Sequence, residues 1–192
     1  MADASMNAMI HRAILREIDR VQALVTAGDV AGARKHFGFL AENLHTHHQN
    51  EDTYIWPALE ARTTDEKELA TLAAMTGEHE QLVAALKKCE ADFVGQPPES
   101  TVADLQELRL QAAAHFAHEE AEAEPMLDKY LTKGDLKPFH AANRKAPNSM
   151  LVFPWVADGG TAADQKIYDV LPAPVRLFLK PVMQRKYKAY FA

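Results

Sequence analysis

His11, His47, Glu51 and Pro57 recur in the same order 68 positions later, as His79, His115, Glu119 and Pro125. A single offset shared by four residues, three of them of metal-ligating type, marks an internal duplication. A chain built this way offers its ligands twice, and each set must ride on an element that aims it at one place. The spacing identifies that element. His47 and Glu51 are four apart, as are His115 and Glu119, and residues four apart share one face of an α-helix.

Helical periodicity covers four stretches, in a chain rich in Ala and Leu and sparing of Gly. The first is predicted from about Ser5 to Ala27, with Met9, Ile14, Leu15, Ile18 and Val21 toward a core and a stop at Gly28. Asp29 caps the second, which passes Phe37, Leu40 and Leu44 to about Arg62. Asp65 and Glu66 suit the start of the third, which runs through Leu69, Leu72, Met75, Leu82, Val83 and Leu86 and ends before Gly95. The fourth begins near Ser100 or Thr101 and ends around Leu131. Pro57 and Pro125 fall inside the second and fourth helices, where each should kink or end its helix. Short connections between four such helices predict an all-α fold, an up-down-up-down four-helix bundle over residues 1–133.

Residues 134–192 read as a C-terminal extension of short helices packed on that bundle. Six prolines divide the segment, while Phe153, Trp155, Phe178, Tyr187, Tyr190 and Phe191 give it apolar surface to bury. Short helices are expected near Ser149–Ala157, Thr161–Val170 and Pro174–Tyr190. Residues 1–133 hold 12 Lys and Arg against 23 Asp and Glu, and the extension holds 9 against 4. The acidic body argues against nucleic acid as a partner. Lys180, Arg185, Lys186 and Lys188 beside Phe178, Tyr187 and Tyr190 could face an acidic partner or an anionic membrane. The simpler expectation is that the positive extension packs its aromatics on its own negative bundle, with no membrane partner. Cys89 stands alone, which excludes an intramolecular disulfide framework and makes a reducing compartment the default. The first residues carry acid where a secretory leader carries base, so the expected location is cytoplasmic.

His11 and His79 add one imidazole each from the first and third helices, so four helices contribute to one interior site. Neutral imidazole suits iron, zinc, copper or nickel, and carboxylates can bridge two ions while offsetting their charge. Leu40 and Leu44 precede His47 by seven and three positions, as Leu108 and Ala112 precede His115, and such stripes point inward. Tyr54 and Glu122, seven positions after His47 and His115, are candidates to donate a hydrogen bond and to complete a metal shell. His48 and His118 point roughly 100 degrees or more from the nearest ligand on an ideal helix, so they are read as solvated or merely adjoining the site. His36, His45 and His140 show no paired spacing and are read as surface residues. Neither a glycine-rich phosphate loop nor a Ser-His-Asp arrangement can be defended.

Taken together, His11, the His47-xxx-Glu51 pair leading to Tyr54-Ile55-Trp56-Pro57, the Glu78-His79 pair, and His115-xxx-Glu119-Glu120 leading to Pro125 resemble the hemerythrin-like HHE cation-binding domain. The resemblance spans roughly residues 5–131. It implies a four-helix bundle around two non-haem iron ions bridged by carboxylates and an oxo or hydroxo group. His11 and His47 would bind one iron, His79 and His115 the other, and Glu51 and Glu119 would bridge. Oxygen-carrying hemerythrins have a further His four residues after the one in the third helix, and Val83 stands there in this chain. With about five ligands per ion, each metal would keep a position open to a small molecule. The expected function is binding of, or reaction with, a small oxidant: oxygen, peroxide or nitric oxide, with peroxide decomposition as one such reaction. The alternative is an iron-, oxygen- or redox-sensing or metal-binding module without turnover. Iron rests on the resemblance; the residue types fit zinc as well.

Overall fold

Ser5, Asp29 and Asp65 each turn a side-chain oxygen onto free backbone N–H groups, and a long helix follows each of them. In the computed structural model, which describes residues 5–192, these helices are α1 (Met6–Thr26), α2 (Val30–Asn50) and α4 (Glu66–Asp92). Residues 1–4, which begin the unit predicted over 1–133 and carry the acid at the start of the chain, lie outside the described residues. Gly28 ends α1 with a φ of +78°, a conformation that favours glycine. The remaining long helix is α5 (Thr101–His118), and α3 (Trp56–Glu60) and α6 (Glu124–Tyr130) are short continuations of α2 and α5. Helix α1 lies against α2 and α5, and α4 lies against α5. Only helices occur among the described residues.

The second and fourth helices do not run through to Arg62 and Leu131 as single α-helices. Each passes through one wide π-turn, Glu51–Ile55 and Glu119–Ala123, before its proline-bearing continuation. In these turns the N–H of Trp56 reaches back to the carbonyl of Glu51, and that of Glu124 to the carbonyl of Glu119. Proline supplies no N–H and crowds the carbonyl four residues before it, so the chain relieves the conflict by widening the turn just ahead of Pro57 and Pro125. Both π-turns begin at the glutamates of the repeat.

The core divides into two apolar clusters. The larger holds Ile14, Ile18, Val21, Phe37, Leu40, Leu44, Leu82, Leu86, Leu105 and Leu108, and the smaller holds Ile55, Trp56, Leu59, Leu72, Met75, Ala123 and Met126. Along α2 the order is Leu44, His47, Glu51, Ile55, and along α5 it is Ala112, His115, Glu119, Ala123, so the His and Glu side chains form a layer between the clusters. Helix α4 crosses in the opposite sense, from Met75 through His79 to Leu82. Leu69, expected inside, is exposed near the start of α4, whereas Cys89 and Phe93 are buried. Burial pushes the Cys89 thiol up to about 12, which leaves it unreactive as a nucleophile.

The extension contains α7 (Lys137–Lys145), α8 (Ser149–Ala157), a 3-10 turn (Asp164–Val170) and α9 (Ala173–Phe191). Helix α7 was not expected from sequence because Pro138 reads as a breaker. It sits in the first turn, where a missing N–H costs nothing. The stretch expected as a helix from Thr161 tightens to 3-10 geometry at Asp164, whose carboxylate accepts from the N–H and Oγ of Thr161 (2.8 and 3.0 Å). Trp155, Val156, Ile167, Tyr168, Met183 and Tyr187 join the larger cluster. Phe178 does not: it is 73% exposed, as is Leu177 at 71%.

The charge pairing between body and extension reverses the expected polarity. Asp164 is fully buried and accepts from Arg12 (2.9 and 2.5 Å) and Arg16 (3.4 Å), while Arg20 pairs with Asp158 at 2.9 Å. Bases of the acidic body thus hold acids of the basic extension, because local pairing at a buried contact outweighs net charge across a solvated surface. Buried Glu17 accepts from Trp155 Nε1 (3.1 Å) and from His36 Nδ1 (2.6 Å). His36 is therefore not the surface residue the spacing suggested, since it also stacks on Phe191 at 4.1 Å. No helix among the described residues is long and apolar enough to cross a membrane.

Candidate metal centre

The two apolar clusters leave four imidazoles and two carboxylates facing one another. Nε2 of His11 lies 3.1 Å from Nε2 of His47, and Nε2 of His79 lies 3.1 Å from Nε2 of His115. Each carboxylate reaches both pairs. Glu119 Oε2 is 3.3 Å from His11 and 3.6 Å from His115, while Glu51 is 3.5 Å from His47 and 3.8 Å from His79. All six residues are buried, and Oε2 of each glutamate makes no hydrogen bond. Buried carboxylate oxygens without partners are costly, and a cation is the partner that removes the cost.

Three further carboxylates hold the rings from behind. His11 Nδ1 pairs with Glu120, His79 Nδ1 with Asp52 and His115 Nδ1 with Glu78, each at 2.8 Å. A carboxylate accepts, so the proton sits on Nδ1 and the Nε2 lone pair points inward. For His79 and His115 two inward lone pairs then meet at 3.1 Å. Such a contact needs positive charge between the nitrogens, a proton at the least and a metal ion at best. Asp52 and Glu120 are themselves related by the 68-residue offset, and each serves the histidine of the other half.

Charge within the layer follows from burial. It drives the pKa of His47 down to about 3, with nearby His11 adding to the effect, and it lowers His115 in spite of the hydrogen bond to Glu78. Desolvation opposes the proton on His11, but the nearby charges of Glu119 and Glu120 outweigh it and His11 moves up. Burial and the charge of Glu119 push Glu51 well above the carboxylate range. His11 and Glu51 therefore hold protons that a cation must displace. Uptake of a divalent metal is expected to release protons, and affinity to rise with pH as those protons become easier to remove. Calorimetric titration of metal in buffers of different ionisation enthalpy checks this: heats that do not depend on the buffer at pH 7 would contradict it.

Two groups of three place one ligand atom from each residue within 4.8 Å of one another: His11, His47 and Glu119, and His48, His79 and His115. Their chemistry is that of a cation site. A family model of the hemerythrin HHE cation-binding domain matches residues 8–127. The chain belongs to that family. Comparison with curated proteins and with solved structures finds no match.

Within this hemerythrin HHE domain, the two neighbours proposed from helical spacing differ in burial. Glu122 is exposed, accepts from Thr71 Oγ1 (3.0 Å) and lies 3.6 Å from His118 Nε2. Tyr54 is half-buried, and no hydrogen bond ties it to the six residues. Both lie within a π-turn, whose wider winding departs from the ideal helix on which seven-residue spacing assigns them the inward face. His118 Nδ1 donates to Glu78 at 2.8 Å, and the residue stays at the margin. His45 and His140 are exposed. His48, expected to be solvated or merely adjoining, is not solvated: it is buried and adjoins the site, stacked on His79. An arc of 100 degrees on α2 is wide enough to turn His47 toward α1 and His48 toward α4.

Proposed function

We propose that this chain is a non-haem di-iron protein, its two ions joined by an oxo or hydroxo bridge, that binds or reacts with oxygen, peroxide or nitric oxide. The observation that carries the reading is that each of two buried carboxylates spans both histidine pairs, the arrangement that two adjacent cations require. His11 and His47 would hold one ion, His79 and His115 the other, with Glu51 and Glu119 between them. Mutual contact of α1, α2, α4 and α5 supports an up-down-up-down four-helix bundle over residues 1–133, with residues 134–192 as an extension packed on it.

Two iron ions held there would supply redox electrons and open coordination positions to a small oxidant. The protein's own part is positional. Glu120, Asp52 and Glu78 fix the rings, the neutral imidazoles present lone pairs, and the flanking apolar clusters keep bulk water and larger molecules out. The natural partner is accordingly a diatomic molecule or peroxide, in a soluble chain that binds neither nucleic acid nor membrane.

A sensing role is a second reading with its own support. Arg12, adjacent to His11, grips Asp164 of the extension, so a shift of α1 on metal loading would be felt there. The two are separated by adding hydrogen peroxide to iron-loaded protein. Peroxide loss proportional to iron content is expected. Inert iron-loaded protein whose residues 134–192 change protease sensitivity on loading would overturn turnover in favour of sensing.

A further inference from the structure

The two π-turns begin at the glutamates of the repeat, and the fold braces them by different means. At the second turn, His118 precedes Glu119 and donates through Nδ1 to Glu78 of α4 at 2.8 Å, while α4 packs along the turn. Subtracting 68 from these two positions gives Asn50, which precedes Glu51, and Ile10 of α1. An isoleucine offers Asn50 no hydrogen bond, so the brace present in one half of the duplication is lost from the other. The buried Asn50 finds its partner outside the duplicated unit, where its Nδ2 donates to Oδ1 of Asn143 at 2.6 Å.

Asn143 lies on α7, which packs against both α2 and the π-turn Glu51–Ile55. Two further ties hold the same segment. Before α7, Asp135 accepts from Arg62 at 2.5 Å, just beyond α3, and after α7 the side chain of Asn148 donates to Glu42 of α2. Leu136 and Phe139 pack on the smaller apolar cluster, to which Ile55 and Trp56 belong. Residues 135–148 therefore cross the widened turn and are fastened on both sides of it. A π-turn is a place where a helix bends, so a tie across it fixes where the residues of the turn point.

We propose that residues 135–148 are a splint for the Glu51 π-turn, with Asn143 as the positioning residue that holds Glu51 and Asp52 at the metal layer. The proposal rests on the reading of the layer as a two-metal site. Glu51 reaches both histidine pairs and Asp52 fixes the ring of His79, so a turn free to shift weakens the hold on both ions. The extension is in this way part of the site, although it supplies none of the six ligands.

The full chain is compared with three variants, Asn143→Ala, Asn143→Asp and Asp158→Ala, for zinc affinity by competition with a chromophoric chelator. Asn143→Ala is expected to bind zinc about tenfold more weakly, the lower end of the range for removing a group that orients ligands. Asn143→Asp keeps the acceptor oxygen and the shape, and should restore parental affinity. Asp158→Ala loosens the extension at Arg20, away from the layer, and should leave the affinity unchanged even where it lowers the melting temperature. Parental affinity in Asn143→Ala, no recovery in Asn143→Asp, or an equal loss in Asp158→Ala would each overturn the proposal while leaving the two-metal site intact. A parent that binds no zinc would instead overturn the reading of the layer, and the proposal with it. Should Asn143→Ala fail to fold, amide hydrogen exchange in the parent provides the test. Coupling between sites is reciprocal, so zinc is expected to slow exchange across residues 137–145, and exchange there that zinc leaves unchanged would overturn the proposal.

Discussion

Protein carrying His47→Ala and His115→Ala together is expected to purify without transition metal and to lose the thermal stabilisation that metal gives the parent. The double change removes one imidazole from each 3.1 Å pair, so neither half retains its two facing nitrogens. Loss of even an outer partner of a ligand typically weakens metal binding about 10–100-fold, so two lost ligands should cost at least that at each ion. A parent held at metal concentrations near 1,000 times its dissociation constant gains about 4 kcal/mol from binding, and the variant should gain almost none. Its helical content should persist, because both residues are neutral and buried in the metal-free state and the two apolar clusters are untouched. Differential scanning calorimetry with and without added metal reads the effect. A double variant that still shows the parental shift would refute the ligand assignment.

The second large effect concerns the extension. Asp164→Ala is expected to destabilise the protein by about 3 kcal/mol, the lower end of the range for removing one partner of a buried ion pair, because Arg12 and Arg16 remain about one-third and one-quarter exposed. For a chain of this length that lowers the melting temperature by about 6–12 °C. Asp169→Ala, which breaks an exposed pair with Arg176 inside the extension, should change it little. The acid dependence has a defined sign. Burial raises the Asp164 carboxyl, but the bonds from Arg12 and Thr161 outweigh it and the net shift is downward. A group with a depressed folded-state pKa contributes stability that is present above its unfolded value and lost as pH falls through the folded one. The stability difference between parent and Asp164→Ala should therefore hold from neutrality to about pH 4 and shrink below it. A difference that stays constant down to pH 2 would show that the carboxylate is not what holds the extension.

Much of the site was legible because two physical regularities act on particular residues. The helical period puts His47 with Glu51, and His115 with Glu119, on single faces, and the 68-residue offset brings His11 and His79 in beside them. Helix starts were equally readable where a side chain announces them, as Asp29 and Asp65 do. What stayed hidden depends on relations between helices or on departures from ideal geometry. Pro57 and Pro125 signal a disturbance but do not reveal that it takes the form of a π-turn, and the inward placement expected for Glu122 failed on that account. Asp52 and Glu78 matter because of what they meet on a neighbouring helix, His79 and His115, and no spacing along one helix reports that. The solvated alternative for His48 fails because α2 turns toward both α1 and α4, while its other expected place, adjoining the site, is where the side chain lies. The same offset held a usable signal: Asp52 maps to Glu120, and His48 to Phe116.

The most direct measurement is metal analysis of the purified chain after anaerobic iron loading, paired with optical spectra taken before and after reduction and on exposure to oxygen or peroxide. The account predicts two iron ions per chain and a near-ultraviolet oxo-bridge absorption that disappears on reduction and returns on oxidation. One iron or fewer per chain, or two irons with no bridge absorption in the oxidised state, would contradict it.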